Sequence, residues 1–317
     1  MNKNRENYPP IDVKKLKTFP MTQRQHKVDQ QQPAKLPEKN APLSEFLDSF
    51  PDFLGAQQLR QLARIIAAAA KKGRPVIFAM GAHVIKVGCS PIIIDLMQRS
   101  VITALALNGA GGIHDLELAL FCKTSEDVGA NIHEGRFGMT TEAPEVLAEA
   151  ARRGRQEGIG LGEALGKLIN ERQLEHREAS LLATADRLDR LATIHVAIGT
   201  DTVHMHPEAD GADIGAASLI DFRRLASAVA DLGNGGVWVN VGSAVILPEV
   251  FLKCVSIARN LGADLDEMYT ANLDMLQHYR PHQNVVSRPV RAGHSFSITG
   301  HHEILLPLLR MWILQYI

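Results

Sequence analysis

The sequence is poor in aromatic residues, has almost no net charge and contains no apolar run of membrane-spanning length. Aromatic residues make up only 5% of the chain, so its core must be built mainly from aliphatic side chains. The 34 lysines and arginines offset 35 aspartates and glutamates to a formal charge of −1, which gives no electrostatic basis for binding nucleic acid or an anionic membrane. Pro307 and Arg310 interrupt the apolar C-terminal stretch. We therefore expect neither a nucleic-acid partner nor a membrane span.

Cysteine is also scarce. The three cysteines, Cys89, Cys122 and Cys254, are odd in number and far apart, unlike a disulfide framework or a zinc site. They are expected to be buried thiols of a reducing compartment. Because the polar, basic N-terminus lacks the apolar core of a signal peptide, the predicted location is the cytoplasm.

What the sequence does contain is the material for one large domain preceded by a polar arm. Hydrophobic residues account for 45% and charged residues for 22% of the 317 residues, an ordinary balance for a globular protein with a sizeable core. Residues 1–42 are rich in Lys, Gln, Asn and Pro and are expected to form a flexible or partner-bound arm. Residues 43–317 are expected to form an α/β domain, with a charged helical insertion at about 141–191.

The clearest local pattern lies in residues 101–115. Residues 101–107 are an unbroken run dominated by β-branched and aliphatic side chains, typical of a strand buried on both faces of a parallel sheet. A glycine-rich turn follows at 109–112, and then a helical pattern. Such a turn lets backbone N–H groups approach a phosphate, but it also occurs with no ligand. The spacing differs from the G-x-G-x-x-G fingerprint, so no standard dinucleotide site follows.

The alternation of apolar run, polar turn and helical pattern recurs along the domain. Six stretches are predicted to be strands: 75–80, 101–107, 194–198, 236–241, 268–271 and 295–298. This order predicts a doubly wound, mostly parallel sheet with helices on both faces, while residues 279–288 are predicted to form a polar loop. Polar segments that follow the strands should meet in one crevice at the carboxyl edge of the sheet; they are 81–86, 108–115, 199–206 and 242–243.

Several short segments occur in an order that can be compared with known families. They are Ala110-Gly111-Gly112, Thr200-Asp201, the turn at Gly242, the run Arg259-Asn260-Leu261-Gly262-Ala263-Asp264, Thr270-Ala271 and Pro307-Leu308-Leu309. In this order they resemble deoxyhypusine synthase, an NAD-dependent enzyme with a Rossmann-like fold, over roughly residues 75–309. No single segment is decisive; their shared order indicates a common fold.

The resemblance implies a Rossmann-like sheet and a homotetramer that binds NAD between subunits and acts on a small-molecule substrate. The candidate cofactor-binding residues come from the matched segments and the polar turns. They are Gly81, His83, Gly109, Ala110, Gly111, Gly112, Asp201, Gly242, Ser243, Thr270, Ala271 and Asp274.

The chain departs from this family at the catalytic lysine. The family's Trp-Gly-Lys aligns with Val286-Ser287-Arg288, and a guanidinium stays protonated, so Arg288 cannot form the family's lysine imine. We therefore expect an NAD-dependent enzyme that acts on an amine-bearing or other small polar substrate, and not deoxyhypusine synthesis itself.

Three more residues join Arg288 as catalytic candidates. Lys86, predicted at a helix start, is interpreted as a phosphate clamp or relocated nucleophile, or as an ordinary surface lysine. His114 is a candidate general base. Asp115 falls where the family has a glutamate, which favours a site role over hydrogen bonding to helix N–H groups.

Two other functions stay open on the residues alone. His204 and His206 are two residues apart, and an extended segment would place both rings on one side. A metal-dependent hydrolase or lyase is therefore the first alternative. The second is a non-catalytic relative that keeps the scaffold for ligand binding.

Overall fold

The computed structural model describes residues 8–26 and 33–317 and has a six-stranded parallel sheet at its centre. The strands are β1 (Val76–Met80), β2 (Ala104–Asn108), β3 (Leu191–His195), β4 (Val237–Val241), β5 (Tyr269–Asp274) and β6 (Ser295–Thr299). Their spatial order is β3-β2-β1-β4-β5-β6, and every neighbouring pair is parallel. The predicted α/β fold is confirmed, and the strand order is that of a Rossmann-like sheet.

Helices cover both faces of this sheet. They are α1 (Leu43–Asp48), α2 (Leu54–Lys71), α3 (His83–Lys86), α4 (Ser90–Gln98), α5 (Gly109–Phe121), α6 (Val128–Ile132), α7 (Glu142–Glu157), α8 (Leu161–Glu171), α9 (Leu181–Arg187), α10 (Gly211–Ala230), α11 (Ile246–Asn260), α12 (Tyr279–Pro281) and α13 (His302–Tyr316). Successive strand side chains point to opposite faces. Val76 and Phe78 accordingly belong to one core cluster with α2 and α13, whereas Ile77 and Ala79 belong to another with α10 and α11.

The helices of residues 142–187 are part of the main core. Leu147 of α7, Leu165 of α8 and Leu182 of α9 are buried in the same cluster as the sheet residues. The charges of this segment lie outside that apolar face and pair with one another, as Arg153 does with Glu171 at 2.5 Å. The segment therefore contributes packing to the domain and borders the edge strand β3.

Strand β3 begins at Leu191, where the sequence predicts a start at residue 194. Leu191 pairs with Ala104, which fixes the register with β2. On the outer edge, the N–H of Ile194 donates to Asp221 at 2.8 Å. The apolar run continues past the end of the strand. Its last residue, Ile198, lies in the following loop with 67% of its surface exposed.

Residues 279–288 are mostly helical, which corrects the prediction of a polar loop. Helix α12 is followed by a π-helix at His282–Ser287. The Val285 side chain is buried, and its carbonyl accepts the Thr270 hydroxyl at 2.7 Å. The segment is polar in sequence but packs against β5, and this tertiary contact stabilises the helical turns.

Cys122 is exposed, whereas the sequence predicts a buried thiol. It ends α5 in the left-handed conformation, with φ of 53°, which turns it out of the core. Cys89 and Cys254 are buried, as expected.

The predicted arm, residues 1–42, lies partly outside the described residues. Residues 8–26 contain two short 3₁₀ turns, at Val13–Lys15 and Met21–Gln23, and their side chains are exposed. Within the ranges that the structure describes, no helix combines the length and the apolar character needed to cross a membrane.

Candidate functional site

The loops after β1 and β4 meet at the carboxyl edge of the sheet, where the strand order reverses. Doubly wound sheets bind ligands at this switch point. The N–H of Gly81 donates to the Val241 carbonyl at 2.9 Å. A Cβ atom on Gly81 would lie 2.1 Å from the Gly242 carbonyl oxygen. Any side chain at residue 81 would therefore force the two loops apart.

Both loops present backbone donors that have no partner in the described part of the chain. The N–H groups of Ala82, His83, Ser243 and Ala244 make no hydrogen bond there. Ala82 and His83 open the single turn α3, and Ser243 and Ala244 lie just before α11, so all four N–H groups come from the two loops at the switch point. The Ser243 hydroxyl is engaged in the turn, since it accepts the Leu247 N–H at 3.3 Å.

A buried polar cluster lies behind these loops. His302 is 1% exposed and Asp274 is 6% exposed. The His302 Nε2 lies 3.4 Å from the Leu273 carbonyl oxygen. Burial lowers the pKa of His302, and the Asp274 carboxylate partly opposes that effect. The His83 ring meets the His302 ring edge-on, with centroids 5.5 Å apart.

Gly242 makes room for the His302 ring. A Cβ atom at residue 242 would lie 2.6 Å from His302 Cε1. Gly242 also has φ of +64°, a conformation that glycine adopts at little cost. The structure thus brings together five of the predicted site residues: Gly81, His83, Gly242, Ser243 and Asp274.

The glycine-rich turn after β2 is occupied by a carboxylate of the same chain. Helix α5 begins at Gly109, and the Asn108 side chain accepts the Gly111 N–H at 2.9 Å. A Cβ atom on Gly109 would lie 1.9 Å from an Asp201 carboxylate oxygen. This carboxylate also accepts the Ala110 N–H, and its pKa is raised because burial outweighs such favourable contacts. A phosphate at this helix N-terminus would have to displace Asp201.

Little space remains around Asp201. A Cβ atom on Gly112 would lie 2.8 Å from Ile194 Cδ1, so this glycine permits close packing of α5 on β3. The cavity behind Asp201 has a volume of about 30 Å³ and is lined by apolar side chains such as Ile113 and Leu147. It is large enough for water, but its largely apolar lining does not suit a phosphate.

The rings of His204 and His206 point to different partners. Residues Thr202–Met205 form a 3₁₀ turn, whereas both rings would share one side only in an extended segment. His204 Nδ1 accepts the Gly199 N–H at 3.1 Å, whereas His206 Nε2 lies 3.2 Å from the Gly138 carbonyl oxygen. In the described ranges, no group of three or more His, Cys, Asp or Glu side chains is arranged to hold a metal ion.

His114 belongs to a small polar cluster on α5. Its Nδ1 lies 2.5 Å from the Thr124 hydroxyl and 3.1 Å from Glu117 Oε2. Burial opposes ionisation of Glu117, but hydrogen bonds from His114 and Thr124 outweigh it, so the pKa of this carboxyl is lowered. These hydrogen bonds fix Thr124, which follows the end of α5, to two side chains of that helix.

The structure gives Asp115 a helix-capping position and no access to the crevice. Its side chain is fully buried and accepts the Ser180 hydroxyl at 2.6 Å, the Leu181 N–H at 2.7 Å and the Leu182 N–H at 3.1 Å. These are donors at the start of α9. Burial raises the pKa of Asp115 to about 6 against the lowering effect of these hydrogen bonds. Of the two interpretations of Asp115, the geometry favours the structural one.

The other candidates are dispersed. Lys86 is exposed at the end of α3, in the predicted segment. Thr270 and Ala271 are buried near the amino end of β5, away from the carboxyl edge. Arg288 follows the π-helix that contacts Thr270, and its Nη1 donates to Asn284 Oδ1 at 2.9 Å. Thr270, Ala271 and Arg288 are therefore not part of the cluster at Gly81 and Gly242.

Sequence reasoning missed a row of amides beneath the crevice. Asn240 Nδ2 donates to Asn272 Oδ1 at 2.7 Å and to the Ser243 carbonyl at 3.0 Å. Asn272 in turn donates to Gln277 Oε1 at 2.7 Å. An asparagine inside each of two apolar strands was the available signal, since buried polar side chains need partners.

No family model and no curated protein sequence matches this chain. Among solved structures, AgrE in a ternary complex with ornithine and NAD+ matches with a TM-score of 0.55 and 11% identity, over 82% of this chain and 33% of that one. A provisionally assigned LOR/SDH protein from Methanococcus maripaludis matches with a TM-score of 0.52 and 14% identity, over 83% and 71% of the two chains. A provisionally assigned deoxyhypusine synthase from Entamoeba histolytica has a TM-score of 0.49 and 10% identity, over 86% and 93%.

At such identities these likenesses concern the fold alone. The chain spans about a third of the length of AgrE. Membership of the deoxyhypusine synthase family stays a prediction from the sequence. What the comparisons support is a Rossmann-like α/β fold, similar to that of a protein solved with NAD+.

Proposed function

We propose that the protein binds NAD in the crevice between the loops after β1 and β4, as an enzyme acting on an amine-bearing or other small polar substrate. The observation that carries this proposal is the contact of Gly81 with Gly242 at the point where the strand order reverses. This is where Rossmann-like sheets take dinucleotides. The similar fold of AgrE, which was solved with NAD+ and ornithine, supports the same assignment.

The residues of the crevice suit a dinucleotide. The unpaired N–H groups of Ala82, His83, Ser243 and Ala244 would hold the pyrophosphate, because successive free backbone donors at the edge of a sheet suit an anion. The Asp274 carboxylate, which makes no side-chain hydrogen bond in the described chain, would accept ribose hydroxyls. When bound, NAD would supply the hydride acceptor for oxidation of the substrate.

The glycine-rich turn at Gly109 has a different role in this proposal. Asp201 fills the position that a phosphate would take there, so the turn would support the crevice and not bind the pyrophosphate. Lys86 is the cation of the β1 loop and makes no ion pair in the described chain. It would meet the phosphate or the substrate.

The test is calorimetric titration with NAD+ of the wild type and two variants. Ala82→Pro removes one free N–H at a residue whose φ of −60° already suits proline, and the preceding residue is glycine. We expect this variant to keep its stability and bind NAD+ about tenfold more weakly, the effect of losing one charge-assisted hydrogen bond.

Asp201→Asn is the matched control, because it keeps a side chain over Gly109 without the charge. It should leave NAD+ binding unchanged. Tighter binding by this variant would place the pyrophosphate at the Gly109 turn and contradict the proposal. Absence of binding heat from the wild type at millimolar NAD+ would remove the cofactor altogether, and binding without turnover would favour a non-catalytic protein.

A further inference from the structure

The contact between His83 and His302 gives the crevice an ordered pair of imidazoles. His302 is held on three sides: by Gly242 under its ring, by the Leu273 carbonyl near Nε2, and by the His83 ring. His83 is only half-buried, at the start of α3, on the loop that borders the crevice. One ring is thus fixed in the core, and the other faces the proposed ligand site.

The tautomer of His302 follows from its partner. A carbonyl oxygen only accepts hydrogen bonds, so the Nε2 atom near Leu273 carries the proton. In the neutral ring, Nδ1 then has a lone pair and needs a donor. His302 Nδ1 is buried without any hydrogen-bond partner among the described residues. A buried acceptor that is left unpaired is unfavourable, because it has given up its hydrogen bond to water.

His83 is the donor best placed to satisfy this acceptor. The centroid separation of 5.5 Å is only slightly larger than that of two imidazoles joined by an N–H···N bond. We propose that His83 is the proton acceptor of the crevice and that His302 is its positioning residue. A small rotation of His83 would join one of its ring N–H groups to His302 Nδ1 and leave its other nitrogen unprotonated toward the crevice.

This assignment rests on the proposed function for the reaction that it serves. In the oxidation of a hydroxyl or amine, the O–H or N–H proton would pass to the free nitrogen of His83. The hydride of the adjacent carbon would leave to NAD+, so a C=O or C=N bond forms and both electrons and protons balance. Protonated His83 would then lose its proton to solvent, which reaches the half-buried ring.

The groups around His302 decide which of its two protonation states is favoured. Asp274 and Glu303 raise the pKa of His302, whereas burial, the dominant influence, and a positive charge on His83 lower it. Lys86, at the end of α3, and His301, which precedes α13, are both exposed. Burial therefore favours the neutral form of His302, as its positioning role requires.

The first experiment is NMR of the imidazole nitrogens between pH 5 and 9, in the protein without ligand. We expect His83 in one fixed tautomer and His302 protonated on Nε2. In His302→Leu, which has no acceptor, His83 should show both tautomers. His302→Gln keeps a donor for Leu273 and an acceptor for His83, so it should restore the fixed tautomer, and His301→Gln is the exposed neighbouring control.

A mixture of His83 tautomers in the wild type would overturn the assignment, and so would an unchanged His83 in a folded His302→Leu variant. If that variant does not fold, the wild-type spectrum and the His302→Gln spectrum still decide. Calorimetry with NAD+ on the same samples separates the two proposals. Fixed tautomers without NAD+ binding would refute the cofactor alone, whereas NAD+ binding with mixed tautomers would refute the histidine pair alone.

Discussion

Replacing Asp221 by asparagine should remove a pH-dependent loss of stability. Asp221 is fully buried in α10, and its Oδ2 accepts the N–H groups of Gly162 at 2.9 Å and Ile194 at 2.8 Å. It thereby joins the start of α8 to the edge strand β3. Its Oδ1 has no hydrogen-bond partner within the described ranges, and a Cβ on Gly160 would lie 1.8 Å from it. The carboxyl group is closely packed but short of donors.

Burial raises the pKa of Asp221 from 3.8 to about 7, against the lowering effect of its two backbone donors. The folded state therefore holds this proton more tightly than the unfolded state. Stability is greatest below the unfolded pKa and falls as pH rises from about 4 to about 7. A shift of about three units corresponds to roughly 4 kcal/mol in total, of which roughly 2 kcal/mol falls between pH 5.5 and 8.5.

The measurement is urea denaturation at pH 5.5 and pH 8.5. An asparagine can accept the same two N–H groups through its amide oxygen, so Asp221→Asn should fold and should lose less stability with rising pH than the wild type, by roughly 2 kcal/mol. Asp115 titrates in both proteins, so its effect cancels in the comparison. Asp231→Asn, an exposed change at the end of the same helix, serves as the control. Parallel pH profiles of wild type and Asp221→Asn would refute this reasoning.

Three further predictions concern Asp115, Gly242 and Arg288. Asp115→Ala should lower the free energy of unfolding by roughly 3 kcal/mol, because three buried donors at the start of α9 lose their acceptor; a variant of unchanged stability in urea would contradict the capping role. Gly242→Ala should be less stable than Gly235→Ala by roughly 1–3 kcal/mol in the same assay. Both residues have positive φ, but only residue 242 would press a Cβ against a ring, and equal losses would show that His302 moves aside freely. Arg288→Lys should not form an imine with labelled spermidine that borohydride can trap in the presence of NAD+. The reason is that Arg288 follows the π-helix that packs near the amino end of β5. Label on residue 288 would show that this residue reaches the substrate.

The strands were predictable because burial on both faces leaves a simple signature. Residues 76–80 and 237–241 are fully buried, and their sequences are nearly unbroken apolar runs. β3 was harder, because its apolar run continues past the last strand residue and only pairing with β2 sets the register. Residues 279–288 were predicted wrongly since their helical turns depend on a contact with Thr270 that no local pattern encodes.

The candidate site was only partly predictable, for a similar reason. Segments that follow strands are brought to one edge by topology, so the sequence predicts four segments at one crevice. The specific contacts, Gly81 with Gly242 and Gly109 with Asp201, appear only in the structure. The role of Asp115 depends on donors at Leu181 and Leu182, more than sixty residues away. Its position in the helix that follows a glycine-rich turn is compatible with either a catalytic or a capping side chain. Only the distant donors decide between the two.

The Asp201 carboxylate distinguishes two turns that look alike in the sequence. The turns at Gly81 and Gly109 both follow a parallel strand and precede a helix, so the sequence alone makes either a phosphate site. A phosphate charge placed about 4 Å from the Asp201 carboxylate would be repelled by roughly 4 kcal/mol at an effective dielectric constant of about 20. That repulsion equals about a thousandfold in affinity. At the Gly109 turn, the N–H groups of Gly111 and Ala110 already donate to Asn108 and Asp201, whereas those next to Gly81 and Gly242 have no partner in the described ranges. In the proposed function, charge and hydrogen bonding would therefore both direct an anionic cofactor to the crevice between Gly81 and Gly242, where His83 and His302 lie.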